Sequence, residues 1–250
     1  MQTESSLIEP EGIHNFRQLS GYQLRGGGVI RHAMIYRSGA LELMTERDRA
    51  WLEGEVRLRR ILDLRHPDEL AMRPGSHALA DRVVALSIFS ETQTQESLIA
   101  ELNGLYGNGP SPRRYLHYLD IGGERLTQGF QMFAEEENYP VLVHCTAGKD
   151  RTGVLLGMLM DVLGASDEDI AHEYGLSDAS IDRLIAYLRS SGRPIEGTDE
   201  EIRARLATPP ERMAGFIELM RKKHGSSEAF FLRHGATPAQ VQKVRDLLTA

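Results

Sequence analysis

Residues 141–160 read VLVHCTAGKDRTGVLLGMLM. An apolar run enters the chain's single cysteine, a short polar turn containing Gly148 follows, and a long apolar stretch begins near Arg151. This predicts a β-strand ending at Cys145, a tight turn, and a helix that is apolar on nearly every side from Thr152 to Leu163, hence buried within the fold. Such a unit belongs to an α/β protein with a central, mostly parallel sheet flanked by helices. Gly153 and Gly157 stand four apart in the helix and let a neighbouring element approach closely. Gly164 ends it, and SDED from Ser166 starts another.

The rest of the chain fits that frame. VIRHAMIYRS, RRILDLR and VVALSIF read as strands, with a helix in TERDRAWLEGEV capped by Thr45. Residues 90–125 are polar and carry NGLYGNGPSPRR, a Gly/Pro-rich break that predicts a loop or mobile excursion rather than core, and thus a lid or insertion over a site. SIDRLIAYL sets Ile181, Leu184, Ile185 and Leu188 on one stripe. TDEE, TPPE and TPAQ, from Thr198, Thr208 and Thr237, each signal a helix start, so the C-terminal half is expected to be helical. RKKHG from Arg221 reads as a helix C-terminus whose charges complement the macrodipole.

At 250 residues with 41% hydrophobic and 26% charged side chains, the chain is expected to form a single domain over 1–250. No apolar run approaches the roughly 20 residues of a membrane span, and MQTESSLIEPEG lacks the regions of a secretory signal. A cytoplasmic location is expected, with export by a route that lacks such a signal left open. One cysteine cannot form an internal disulfide. A net charge of -7 argues against a nucleic-acid or anionic-membrane binder, so anion recognition must be local. His14, His32, His77, His117, His172, His224 and His234 show no metal-ligand spacing, and no metal or cofactor is implied.

Ligands of open α/β sheets sit at the carboxyl ends of strands. There the N–H groups of Thr146, Ala147, Gly148, Lys149, Asp150 and Arg151 and the helix N-terminus converge on one spot that suits a doubly charged phosphate, with Cys145 at its floor. These dipoles and Arg151 favour the thiolate. The planar fork of Arg151 can return to the loop mouth and grip two phosphate oxygens.

His144, Cys145, five further residues, Arg151 and Thr152 resemble the HCx5RT signature of cysteine-dependent protein tyrosine phosphatases. With TAGKD inside the loop, NFRQLSGY, IYRSGAL and ILDLRHPDEL upstream and EYGLSD downstream, the chain resembles the bacterial tyrosine phosphatase family with HCxxGKDRTG loops, some of whose members also accept phosphoinositides. Gln18, Ser20 and His66 stand where that family commonly has Asp, Gly and Ser or Thr. The resemblance implies a tyrosine-phosphatase-like fold and a two-step reaction through a phosphocysteine on Cys145, with Arg151 stabilising the transferring phosphoryl group and inorganic phosphate released. It also implies a phosphorylated protein, phosphotyrosine first, as substrate, with phosphoinositides or other polyphosphorylated small molecules as the alternative. Asp150 is preferred as general acid and Asp63, at the end of RRILD, is the alternative. Lys149 is expected as a point charge at the rim, Thr152 as a hydroxyl donor to the sulfur, and His144 as an organiser of the loop. Arg37 and Arg17 either bind substrate or pair with structural carboxylates. Rival readings are a phosphate-binding pseudoenzyme and a rhodanese-like sulfurtransferase.

Overall fold

The computed structural model describes residues 10–72, 77–89, 93–190 and 197–250. In chain order the elements are β1 (Arg17–Gln18), β2 (Ile35–Ser38), α1 (Glu46–Gly54), β3 (Arg60–Asp63), α2 (Pro67–Met72), β4 (Val83–Ala85), α3 (Gln95–Tyr106), α4 (Pro112–Gln131), β5 (Val141–His144) and α5 (Asp150–Leu163). They continue with α6 (Asp167–Gly175), α7 (Ile181–Ser190), α8 (Asp199–Leu206), α9 (Pro210–His224), α10 (Ser227–Arg233) and α11 (Pro238–Leu248). The sheet order is β1-β2-β5-β3-β4. Only β1 runs antiparallel to its neighbour, and β5 lies between β2 and β3 with His144 level with Ser38 and Asp63.

Strand residues alternate between two apolar layers, as the two-residue period of a pleated strand requires. Ile35, Leu62, Val141 and Val143 face the larger core, built with α3, α4, α5, α9, α10 and α11. Tyr36, Ile61 and Leu142 face a smaller core with Trp51 and Leu52 of α1. Helix α5 lies inside the larger layer, with Thr152 through Met160 all buried. A Cβ on Gly153 would sit 3.0 Å from the Tyr174 ring, and one on Gly157 3.1 Å from the Met213 sulfur, so the two glycines admit α6 and α9. Gly164 closes the helix in the left-handed conformation at φ 92°.

Capping boxes are present at Thr45, Thr198 and Thr237, and Ser166 caps α6. TPPE also starts a helix, α9 at Pro210, although Thr208 is not its cap: the Thr208 N–H and hydroxyl both bond Asp178. The strand read from VIRHAMIYRS is shorter, since only Ile35–Ser38 joins the sheet while Val29 and Ile30 form isolated bridges. The larger correction concerns residues 90–125, of which 90–92 lie outside the described residues. The remainder is mostly helix, not loop. It forms α3 and the first two thirds of α4, with Leu98, Leu102, Tyr115, Tyr118 and Leu119 in the core. The Gly/Pro break is confined to the turn between these helices, where Gly107 and Gly109 adopt positive φ. No helix among the described residues is long and apolar enough to cross a membrane.

Candidate active site

The turn after β5 leaves the sheet at its centre, and its shape is dictated by where its carbonyls point. The Thr146 carbonyl accepts from the Ala40 N–H at 3.1 Å and from His14 Nε2 at 3.0 Å. Burial pushes His14 down to about 4, so near neutral pH the ring is uncharged and donates from Nε2. Asn15 Nδ2 donates to the Ala147 and Gly148 carbonyls at 3.0 and 2.9 Å, and Arg37 Nη2 to the Gly148 carbonyl at 2.6 Å. All three carbonyls therefore face outward, into the surrounding protein.

These peptide bonds are trans, so each following N–H, from Ala147, Gly148 and Lys149, points the opposite way, into the loop. Among the described residues, the N–H groups from Thr146 to Thr152 find no protein acceptor. The last three belong to the first turn of α5, where a helix leaves its donors unpaired. Gly148 is required for this path: its φ is 65°, and a Cβ there would lie 2.1 Å from the Ser38 carbonyl oxygen. The result is a cradle of inward-pointing donors at a helix N-terminus, with Cys145, 2% exposed, beneath it.

Two carboxylates brace the cradle from opposite sides. Glu173 of α6 receives Arg17 Nε at 2.8 Å and Arg37 Nη1, so both arginines pair with a buried carboxylate and, through Arg37 and Asn15, hold the loop's carbonyls. Burial alone would raise the Glu173 carboxyl; the two guanidiniums lower it instead. Burial and the neighbouring Arg37 bring Arg17 down to about 10, still protonated at neutral pH.

On the other side Glu69 of α2 takes Arg151 Nη1 at 2.5 Å and Nη2 at 2.9 Å, and also accepts from the Thr146 hydroxyl. Against the opposing effect of burial, Arg151 holds the Glu69 carboxyl at about 2, and Glu69 raises Arg151 in return. Glu69 thus occupies the end-on Nη1/Nη2 edge of the guanidinium, and Nη1 also reaches the Leu64 carbonyl. The side edge, Nε and the second Nη2 proton, stays available for a bidentate partner. The Phe89 ring lies 5.9 Å from Arg151 Cζ and covers the guanidinium.

The candidate acids are differently placed. Asp63 is buried, with Arg65 Nε bonded to both oxygens at 3.0 Å and Arg65 Nη2 to Oδ2 at 2.7 Å. His144 Nε2 is 3.4 Å from the same carboxylate. Burial opposes ionisation of Asp63, but His144 and Arg65 pull its carboxyl below the ordinary range. Asp150, at the first position of α5, lines an open cleft. Its Oδ1 accepts from the Tyr115 hydroxyl, which lies 2.7 Å from the Tyr174 hydroxyl, which in turn accepts from Arg212 Nη1 at 3.0 Å. Burial and the Asp150 charge keep the Tyr115 phenol protonated well beyond its ordinary range, so it acts as a donor. Among the described residues Asp150 Oδ2 has no protein partner.

Two expectations fail in detail. The Lys149 ammonium is not at the rim: it is buried at 3% exposure and donates to the Leu206 carbonyl at 2.6 Å, neutralising the C-terminal end of α8. Thr152 Oγ1 is buried without any hydrogen-bond partner, the Cys145 sulfur included. Sequence reasoning also overlooked Glu69, Glu173, Asn15, His14, Tyr115 and Tyr174. The first two stood inside ILDLRHPDEL and EYGLSD, and a carboxylate was owed to each buried arginine.

A cysteine under a cradle of main-chain donors, with an arginine clamped beside it at the carboxyl end of a central parallel strand, is the arrangement of a phosphate-handling α/β enzyme. The model of the tyrosine phosphatase family matches residues 8–250, and the chain belongs to that family; it is a phosphatase. It is similar to the tyrosine-protein phosphatase of Nostoc commune, 25% identical over 223 residues that make up 84% of this chain and 72% of that one. It is also similar to the triple specificity protein phosphatase PtpB of Mycobacterium tuberculosis, with 24% identity across 97% of this chain and 99% of that one. A shorter stretch of 57 residues, 23% of this chain and 29% of the other, is 35% identical to inositol diphosphatase DSP4 of Arabidopsis thaliana.

Proposed function

We propose that the chain hydrolyses phosphate monoesters through a phosphocysteine on Cys145, with phosphotyrosine as its first substrate. The observation that carries this reading is the outward clamping of the Thr146, Ala147 and Gly148 carbonyls, which leaves the amides aimed at whatever lies above the sulfur. The thiolate attacks phosphorus, the bond to the ester oxygen breaks, and the leaving oxygen takes a proton from Asp150. Water then attacks phosphorus, the S–P bond breaks, the proton returns to Asp150, and inorganic phosphate leaves. The amides and the side edge of Arg151 hold the equatorial oxygens, where charge develops in both steps.

Asp150 is favoured over Asp63 as the acid because Oδ2 is open to the cleft while both Asp63 oxygens are engaged by Arg65. His144, next to the nucleophile, is held through Asp63, 3.4 Å from its Nε2. Cys145 is 2% exposed, which favours a phosphate at the end of a long side chain and so supports phosphotyrosine. The alternative, a phosphoinositide or other polyphosphorylated small molecule, has support in the name of the Arabidopsis relative, an inositol diphosphatase, but loses another because the Lys149 ammonium is turned toward Leu206.

The test is turnover of a generic aryl phosphate in the presence of a metal chelator. The wild type should remain active, and Cys145→Ser should lose roughly three orders of magnitude or more. Asp150→Asn should slow poor leaving groups far more than good ones, and Asp63→Asn should not discriminate between them. Chelator-sensitive turnover, or a Cys145→Ser protein as active as wild type, would refute the mechanism. Equal or better turnover of soluble phosphoinositides than of a phosphotyrosine peptide would reverse the substrate order.

A further inference from the structure

Beside the cradle, on the side of Asp150, opens a cleft of about 440 Å³. Asn103 of α3, Asn108 in the turn, Arg114 and Tyr118 of α4, Asp150, and Arg205 of α8 line it. None of these except Asp150 has a part in the chemistry proposed above.

The informative member is Arg114. It is 8% exposed, yet the partners of its guanidinium are neutral: Asn103 Oδ1 at 2.8 Å, the Gly109 carbonyl at 3.4 Å, and the Tyr118 phenol. Among the described residues, no carboxylate forms an ion pair with it. Every other arginine buried at this site has one: Arg37 has Glu173, Arg65 has Asp63 and Glu42, and Arg151 has Glu69. A guanidinium taken out of water without a counter-charge is costly, and the cost is recovered when an anion enters. Asp150 shares the cleft, with its Oδ1 held by Tyr115. Around it the lining carries two guanidiniums and two side-chain amides.

We infer that this cleft is a specificity subsite that receives an acidic side chain next to the phosphotyrosine of a peptide substrate, with Arg114 as its principal anchor. The inference rests on the phosphatase reading above and names the substrate that this site selects. Its lining favours a peptide over a membrane lipid: Gly109, Pro110 and a partly exposed Ile99 complete the wall with small and apolar contacts, while the net charge of -7 disfavours an anionic bilayer. The guanidinium fork matches a carboxylate, and the exposed Arg205 adds a second positive charge at the mouth.

The experiment measures kcat/KM of the full chain for phosphotyrosine peptides that differ only in carrying Glu, Ala or Lys beside the phosphotyrosine. The wild type should favour Glu over Ala by roughly tenfold and disfavour Lys, and the Glu preference should shrink as salt is raised. In Arg114→Gln the Glu-to-Ala ratio should fall to about one, with Arg114→Lys in between. Should Arg114→Gln fail to fold, Arg205→Ala, at an exposed position, should lower the same ratio, and the wild-type ratios stand on their own. A Glu-to-Ala ratio near one in the wild type, an unchanged ratio in Arg114→Gln, or discrimination only between inositol mono- and bisphosphates would overturn the subsite. If aryl phosphate is hydrolysed while the peptides are not distinguished, only the subsite falls; loss of all aryl phosphate turnover in the wild type would sink the phosphatase mechanism itself.

Discussion

Replacing Glu69 by Gln removes one charge and almost no volume from the wall that holds Arg151. The Glu69 carboxyl titrates at about 2 in the folded chain against an ordinary 4.5. Burial works against this; the Arg151 guanidinium, the Thr146 hydroxyl and the His66 N–H more than offset it. A gap of that size corresponds to roughly 3 kcal/mol of stability near neutral pH. Because the folded value lies below the unfolded one, the contribution is complete above about 4.5, declines as pH falls, and is gone near 2. Urea unfolding of wild type and Glu69→Gln, in buffer free of phosphate so that anion binding does not add to the native state, should therefore differ by roughly 3 kcal/mol at neutral pH. The two proteins should converge as the pH is lowered through that window, since every other titrating group is common to both. Equal stabilities at neutral pH, or a difference that persists undiminished at the acid end, would refute the clamp. The same variant should raise KM for an aryl phosphate, because the end-on edge of Arg151 is no longer fixed and its side edge loses its aim.

In Tyr115→Phe, Asp150 loses the hydroxyl that holds its Oδ1, so kcat for aryl phosphates with poor leaving groups should fall by roughly tenfold with little change for good ones, and an equal effect on both would show that Tyr115 does not position the acid. Gly148→Ala places a Cβ 2.1 Å from the Ser38 carbonyl at a φ of 65°, so the melting temperature should fall by roughly 5 °C and inorganic phosphate should no longer protect the protein from unfolding.

The parts of the fold that could be read in the sequence are those whose causes are local. The strand, turn and buried helix around Cys145, the glycine that ends α5, and the caps at Thr45, Thr198 and Thr237 are each decided by residues within one or two turns. Residues 90–125 were misread because one dense cluster of Gly and Pro outweighed the apolar positions on either side. Leu98 and Leu102 in α3, and Tyr115, Tyr118 and Leu119 in α4, keep helical spacing up to the break and beyond it. The site's braces were hidden for a different reason. Arg151 and Glu69 are 82 residues apart and Arg37 and Glu173 are 136 apart, so no window of sequence contains both members of either pair. Lys149 shows the same limit. A lysine inside a phosphate loop suggests a substrate contact, but its partner is the Leu206 carbonyl, 57 residues on, and that pairing depends on where α8 docks.

The position of those braces explains why buried charge is tolerated here at all. Ion pairs such as Arg17, Arg37 and Glu173 cost more to desolvate than their attraction readily returns, and they are weak contributors to stability. Their effect is on direction. A flip of the peptide between Gly148 and Lys149 would turn a carbonyl into the cradle and swing an N–H toward Arg37 Nη2 and Asn15 Nδ2, which both donate to the present carbonyl at 2.6 and 2.9 Å. It would forfeit two hydrogen bonds, one of them from a charged donor, and set N–H against N–H. At roughly 1 kcal/mol for the neutral bond and 2 for the charged one, the flipped loop would be populated at about one per cent or less. The amides are therefore aimed at the anion site before any anion arrives. In the reaction proposed above, phosphate would bind without reorganising the loop, and the two carboxylates with their arginines secure that readiness.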